Sequence, residues 1–348
     1  MHSKSHTRAG VSPIVMAITA VFILLGSFAS GMLSSWEPFL VLGMMLLLGL
    51  PHGATDHGLF LALQDGQFRG KKISFYFSYF AIIAAYGLIW WLSPVVAFLI
   101  FMLLSVYHFG QSNWVNLDYD NAILERAHYL LWGIGILLTP ILLHAEEAIT
   151  IVKAMTGTVV ITAPSTTDLH LFIGVTGLLN GLMIVVLWKQ NRISTKRLAT
   201  EVLAYALLIT MFFTNSLLLG FSIYFVFWHS LASAKDQLQF FKLRLSPILR
   251  RQLLSEVAMT VLGALSFCLI IWFGPGPETA LQPAVIGGVF IFISLLTLPH
   301  MLLVELLYVH WSPRSAEDQI DETNKLYNLS HPPIPAKKTA GAELTITH

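Results

Sequence analysis

Runs of mostly apolar residues recur along almost the whole chain, broken by short segments that hold proline, glycine and the charged side chains. A helix needs about 20 residues to cross the hydrocarbon layer, and the runs are close to that length. Read against their polar breaks, they predict ten membrane helices. The first five run near Pro13 to Ser30, Pro38 to His52, Ile73 to Leu92, Pro94 to Gly110 and Ala127 to His144. The others run near Leu169 to Trp188, Leu198 to Phe213, Ser216 to Ala232, Leu254 to Phe273 and Pro283 to Tyr308.

The positive-inside rule tests that count, because a wrong number of crossings scatters Lys and Arg over both faces. Of the 20 Lys and Arg residues, all but Lys153 fall on one side when both termini are placed in the cytoplasm. Removing a neighbouring pair of helices preserves much of this pattern, so eight spans is the alternative count. The expected fold is an all-α polytopic integral membrane bundle. It divides into a cytoplasmic tail over residues 1–12, a transmembrane catalytic domain over 13–311 and a flexible cytoplasmic tail over 312–348. That last segment mixes Pro332, Pro333, Pro335 and two lysines with too little apolar surface to build a core.

Composition agrees with lipid as the main solvent: 55% of residues are hydrophobic, 11% are charged, and mean hydropathy is +0.71. Lys4 and Arg8 before the first apolar run also fit a signal peptide, but the many later spans favour an uncleaved first helix. A net charge of +1 gives no sign of nucleic-acid binding. The single cysteine, Cys268, excludes an intrachain disulfide. No glycine-rich phosphate loop or Gly-x-Ser-x-Gly elbow occurs, which argues against nucleotide-driven transport and α/β-hydrolase chemistry.

Ionisable groups inside a membrane are costly and mark function. His52, His108, His229 and His300 lie within or at the ends of helices two, four, eight and ten. These helices run in the same direction, and a rise of about 1.5 Å per residue puts all four histidines in one layer, roughly 20 to 25 Å from the helix starts. Imidazole is the commonest metal ligand and suits Fe, Zn or Cu; the competing reading is a polar layer that only packs helices. Asp56 follows His52 by four residues, Gln111 and Ser112 follow His108, and Ser233 and Asp236 follow His229, which makes them expected supports for the rings that precede them. His57 is a reserve ligand. It points about 140° away from His52 on a regular helix, but a turn at Gly53 or Gly58 redirects it.

Four stretches resemble the signatures of the Brp/Blh family of membrane β-carotene dioxygenases. They are Leu50-Pro51-His52-Gly53-Ala54-x-Asp56, Tyr107-His108-Phe109-Gly110, Trp228-His229-Ser230 and Leu298-Pro299-His300-Met301. The resemblance implies an Fe(2+) centre held by histidines that uses O2 to split the 15,15′ double bond of β-carotene into two all-trans-retinal molecules. It also implies a bacterial or archaeal cell membrane, and a microbial rhodopsin supplied with the retinal. A hydrocarbon substrate dissolved in the bilayer suits a buried site, and 23 Phe, 10 Tyr and 9 Trp residues offer a lining for it.

The chain departs from that family at two places. Ser233 stands where some members carry a second histidine, which leaves His300 or water to complete the ligand set. Asn113 stands where an aspartate often follows the His-Phe-Gly stretch. Two rival readings are a transporter that binds its metal ion at the same histidines, and a rhodopsin-associated membrane protein without catalysis.

Overall fold

The computed structural model describes residues 12–45, 50–63, 71–115, 117, 119, 121–244, 247–273 and 282–310. The two expected tails, apart from Ser12, lie outside these residues, as does the side chain of His52. The described residues form helices and their connections, with no strand among them.

In chain order the helices are α1 (Pro13–Phe28), α2 (Ser30–Gly43), a 3-10 turn (Leu50–Thr55), α3 (Asp56–Leu63), α4 (Lys71–Leu92) and α5 (Pro94–Trp114). They continue as α6 (Ala122–Leu143), α7 (Ala145–Thr156), α8 (Thr166–Lys189) and α9 (Thr195–Thr214). The last three are α10 (residues 217–244), α11 (Pro247–Phe273) and α12 (Pro283–His310). Seven helices among the described residues are long and apolar enough to cross a membrane: α4, α5, α6, α8, α9, α10 and α12. They coincide with seven of the ten expected spans. The other three fall on α1, which is apolar but shorter, on the α2 region and on α11.

The second expected span differs in kind. A helix from Pro38 to His52 was the sequence reading, whereas α2 begins at Ser30, and Leu50 to Thr55 form a 3-10 turn with α3 starting at Asp56. Pro51 lacks the N–H of a regular helix and Gly53 relaxes the backbone, so the tighter turn takes over.

The outside of the bundle is apolar where a water-soluble protein would be polar. Ile73 is 81% exposed, Trp91 80% and Phe77 75%. Side chains of this size at such exposure fit contact with acyl chains. Between helices, association rests on close packing and hydrogen bonds, because lipid is as apolar as the helices themselves. Trp90 donates to Ser294 Oγ at 2.9 Å, tying α4 to α12, and Trp228 donates to Thr19 Oγ1 at 2.9 Å, tying α10 to α1.

The tightest pairing is between α5 and α6. A Cβ at Gly110 would collide with the carbonyl of Tyr129, and one at Gly133 would collide with the carbonyl of Val106. The two glycines thus let the backbones touch reciprocally, as small residues do in membrane helix pairs. This contact fixes the rotation of α5 two residues beyond His108.

Candidate active site

Each histidine owes its placement to a local feature of its helix. His108 lies on α5 beside the Gly110 contact. His229 lies in a π-helical stretch of α10, Tyr224–Ser230. Widened turns of this kind shift the phase of a helix and are common at functional sites. His300 follows Pro299, which removes one backbone donor inside α12.

These features bring three of the four expected histidines together. The ring centroids of His108 and His229 are 4.9 Å apart, and those of His108 and His300 are 5.8 Å apart. All three rings are buried. Phe109 and Phe225 pack on the His229 ring, with centroids at 4.8 and 5.8 Å, and restrict its orientation. The backbone of His52 belongs to the 3-10 turn.

The polar supports are arranged across helices rather than along them. Asp56, expected to serve His52, whose side chain lies outside the described residues, has its Oδ1 on Nδ1 of His300 at 2.6 Å. Tyr79 of α4 donates to the other carboxylate oxygen, Oδ2, at 2.9 Å. Ser112, expected to serve His108 on its own helix, contacts Nδ1 of His229 at 3.0 Å while donating to the Phe109 carbonyl. Gln111 turns away to Glu305 of α12, to which it donates at 2.5 Å. Thr55 donates to Gln237 at 2.5 Å, joining the 3-10 turn to α10. Ser233 and Asp236 are buried on α10.

His57 lies elsewhere. Its ring packs between Phe75 and Tyr76, with centroids at 5.6 and 5.3 Å, and its Nδ1 is 3.6 Å from Glu256 of α11. It does not line the cavity described next.

The three clustered rings open onto a cavity of about 840 Å3, in the upper part of the range of roughly 300 to 1,000 Å3 found for small-molecule sites. Its walls are almost wholly apolar. On α12 the lining runs from Val285 to His300, and on α10 from Leu217 to His229. On α5 it runs from Phe98 to Phe109, just past His108. Along these three helices the cavity extends to one side of the histidines, which form its floor. Gly53 and Ala54 of the 3-10 turn, Tyr79 of α4 and Thr260 and Gly263 of α11 also line it. Fifteen residues of α12 correspond to a depth of roughly 22 Å.

The donor set fits a metal ion of the kind that imidazoles hold. Nitrogen ligands stand about 2.1 Å from such an ion, which puts the centroids of two coordinating rings roughly 5 Å apart. His108 and His229 meet that spacing, while the His300 ring stands somewhat wider. As placed, no three His, Cys, Asp or Glu side chains among the described residues are close enough to hold one ion. Nδ1 of His229 and of His300 is engaged by Ser112 and Asp56, the kind of support a metal-binding ring takes through the nitrogen that does not face the ion. Nε2 of His108 is buried and has no hydrogen-bond partner among the described residues. A buried acceptor of that kind is costly unless something binds it.

A second polar cluster went unread in the sequence. His128 of α6 is fully buried, stacks on Trp114 with centroids at 4.4 Å and shares a 2.7 Å hydrogen bond with the Tyr119 hydroxyl. Burial, with Glu125 nearby, holds that hydroxyl well above the usual phenol range, so it stays protonated. Arg197 lies over the Trp114 ring at 5.7 Å and pairs with Glu201 at 3.3 Å. The i, i+4 spacing of Arg197 and Glu201 was the available signal.

Fold and site together define a helical membrane protein whose buried imidazoles close one end of a hydrocarbon-lined cavity. The family described as beta-carotene 15,15′-dioxygenase matches residues 43–308, and this chain belongs to it. A protein of the uncultured marine bacterium 66A03, named beta-carotene 15,15′-dioxygenase, is 24% identical over 285 residues, covering 78% of this chain and 94% of the relative. A protein of Halobacterium salinarum, named probable beta-carotene 15,15′-dioxygenase Blh, is 25% identical over 281 residues, covering 74% and 81%. No solved structure matches the chain.

Proposed function

We propose that this protein is a membrane-embedded oxygenase that splits the central 15,15′ double bond of β-carotene with O2 to give two molecules of all-trans-retinal. The observation that carries this reading is the burial of three imidazoles on the floor of an apolar well, in a chain of this family. The reaction balances by itself: one carbon–carbon double bond breaks, two carbonyl groups form, and each takes one atom of the O2. No further reductant is needed.

His52, His108, His229 and His300 are the residues that would hold Fe(2+), which supplies the activation of O2 when bound. His57 is not among them, given its packing against Phe75 and Tyr76. The chain's other residues act on geometry and solvent. Asp56 and Ser112 hold the His300 and His229 rings through Nδ1. Tyr79 steadies the Asp56 carboxylate. Phe109, Phe221 and Phe225 present ring faces and edges to a polyene, and the apolar walls keep water from it. A substrate that partitions into lipid enters such a cavity without crossing water.

In this reading the chain crosses a bacterial or archaeal cell membrane ten times with both termini in the cytoplasm. The one-sided distribution of Lys and Arg supports that orientation. Its product supplies a microbial rhodopsin.

The test is expression in cells that make β-carotene, with carotene and retinal measured by chromatography. The expected result is loss of carotene with about two retinals formed for each one consumed. Unchanged carotene in cells holding inserted, iron-loaded protein overturns the reading.

A further inference from the structure

The well has a built end wall opposite its histidine floor. Four residues of α7 line it: Ala148, Ile151, Val152 and Met155. Their i, i+3, i+4, i+7 spacing makes one stripe on the helix, and all four are buried. The sequence reading gave this segment no part in the chemistry.

Several contacts fix α7 in place. Just before it, Nε2 of His144 meets the Phe212 carbonyl at 2.9 Å, and the Leu217 N–H donates to Glu147 at 3.4 Å. Its far end closes on Gly157 in the left-handed region, with φ 74°. Against its face runs α12, where a Cβ at Gly287 would stand 3.3 Å from the Ala154 Cβ and the Met155 Cγ. Gly287 thus lets α12 approach α7 closely. The next residue, Gly288, lines the well, and a Cβ there would meet nothing within 4 Å.

We infer that this wall selects the end group of the polyene, with Ala148 and Gly288 as the specificity-determining positions. The inference rests on the carotenoid-cleaving reading. A molecule cut at its centre has to reach from the histidine floor towards the wall, and the depth of roughly 22 Å along α12 suits half of such a chain. The widest part of the half-molecule is its terminal ring, and towards the wall the well offers it an alanine, Ala148, and a glycine, Gly288, which leave room for it. Side-chain volume added at either position is taken from the ring and spares the thin polyene behind it. A carotenoid with acyclic ends loses less.

The experiment presents β-carotene and lycopene together, as an equal mixture, to full-length protein in liposomes, and reads the ratio of their consumption. Both substrates compete for the same protein, so a variant that folds poorly lowers both rates and leaves the ratio alone. Gly288→Leu and Ala148→Phe are expected to shift the ratio towards lycopene by roughly 10-fold or more, the scale on which pocket misfits discriminate. Met155→Ala, which widens the wall, is expected to shift it the other way. A ratio within twofold of wild type in every variant that still turns over overturns the inference. If Gly288→Leu and Ala148→Phe consume neither substrate, the Met155→Ala ratio decides. Wild-type protein that consumes neither carotenoid overturns the carotenoid reading itself, which is a different failure.

Discussion

Asp56 and His300 stand 244 residues apart in sequence and 2.6 Å apart in space, carboxylate Oδ1 to imidazole Nδ1. The carboxylate starts α3 and the ring sits deep in α12, so the pair fastens two helices as well as aiming a ring. Replacing Asp56 by Ala is expected to lower retinal formation by about 10 to 100-fold, the usual cost of losing a partner behind a metal-binding histidine. Tyr79→Phe, which removes only the hydroxyl donated to the same carboxylate, costs about 1 kcal/mol and a correspondingly smaller loss. Retinal yield per unit of inserted protein measures both. Equal losses in the two variants contradict the ordering.

His108 and His57 differ in what surrounds them, and their alanine variants are expected to differ in kind. His108→Ala removes a buried ring from the floor of the well and abolishes retinal formation while leaving the amount of inserted protein near wild type. His57→Ala opens a gap between Phe75, Tyr76 and Glu256 and lowers thermal stability, with activity kept within several-fold. A His57→Ala protein that is stable but inactive restores that residue as a ligand.

Chelation tests the role proposed for the imidazoles. Stripping metal from the detergent-solubilised protein is expected to end turnover and lower the midpoint of thermal unfolding. Adding back Fe(2+) is expected to restore both. An ion at 100 times its dissociation constant contributes about 2.7 kcal/mol of stability, enough to see in a melting curve. His108→Ala should no longer respond to added Fe(2+). A melting curve that chelator and Fe(2+) leave unmoved counts against ligation by these rings.

Glycine positions separate packing from chemistry. Gly110→Ala pushes a methyl group into the Tyr129 carbonyl and is expected to cost about 1 to 3 kcal/mol or more, read as lost folded protein. Gly174→Ala, where a Cβ meets nothing within 4 Å on the exposed side of α8, is expected to be neutral or to stabilise by up to about 1 kcal/mol. Fluorescence-detected size-exclusion chromatography with a thermal ramp compares the two. Equal stability of the two variants would mean that the α5–α6 contact is looser than described.

The spans were the legible part of this fold, because a helix in lipid must be apolar for most of its length and seven of the expected segments are. His108, His229 and His300 were legible as a layer, since helices of one direction can be compared by counting residues. What the sequence hid was which residue steadies which ring. Counting four residues along a helix joined Asp56 to His52 and Ser112 to His108, whereas packing joins them to His300 and His229. The 3-10 turn at Leu50–Thr55 replaces the regular helix on which the first pairing was counted, and the rotation of α5 against α6 set the second. The end wall was hidden for a similar reason: Ala148 and Gly288 carry no chemistry, and only their placement gives them a role.

The well extends to one side of its histidine floor, and this treats a symmetric molecule unsymmetrically. β-Carotene reads the same from either end, yet when its midpoint stands at the floor only one half occupies the well while its twin lies outside it. Two chemically identical products are then born in different surroundings, one enclosed and one beside the lipid. The two are expected to part from the protein at different speeds, so that a rapid single-turnover measurement reads retinal release in two phases although only one compound is made.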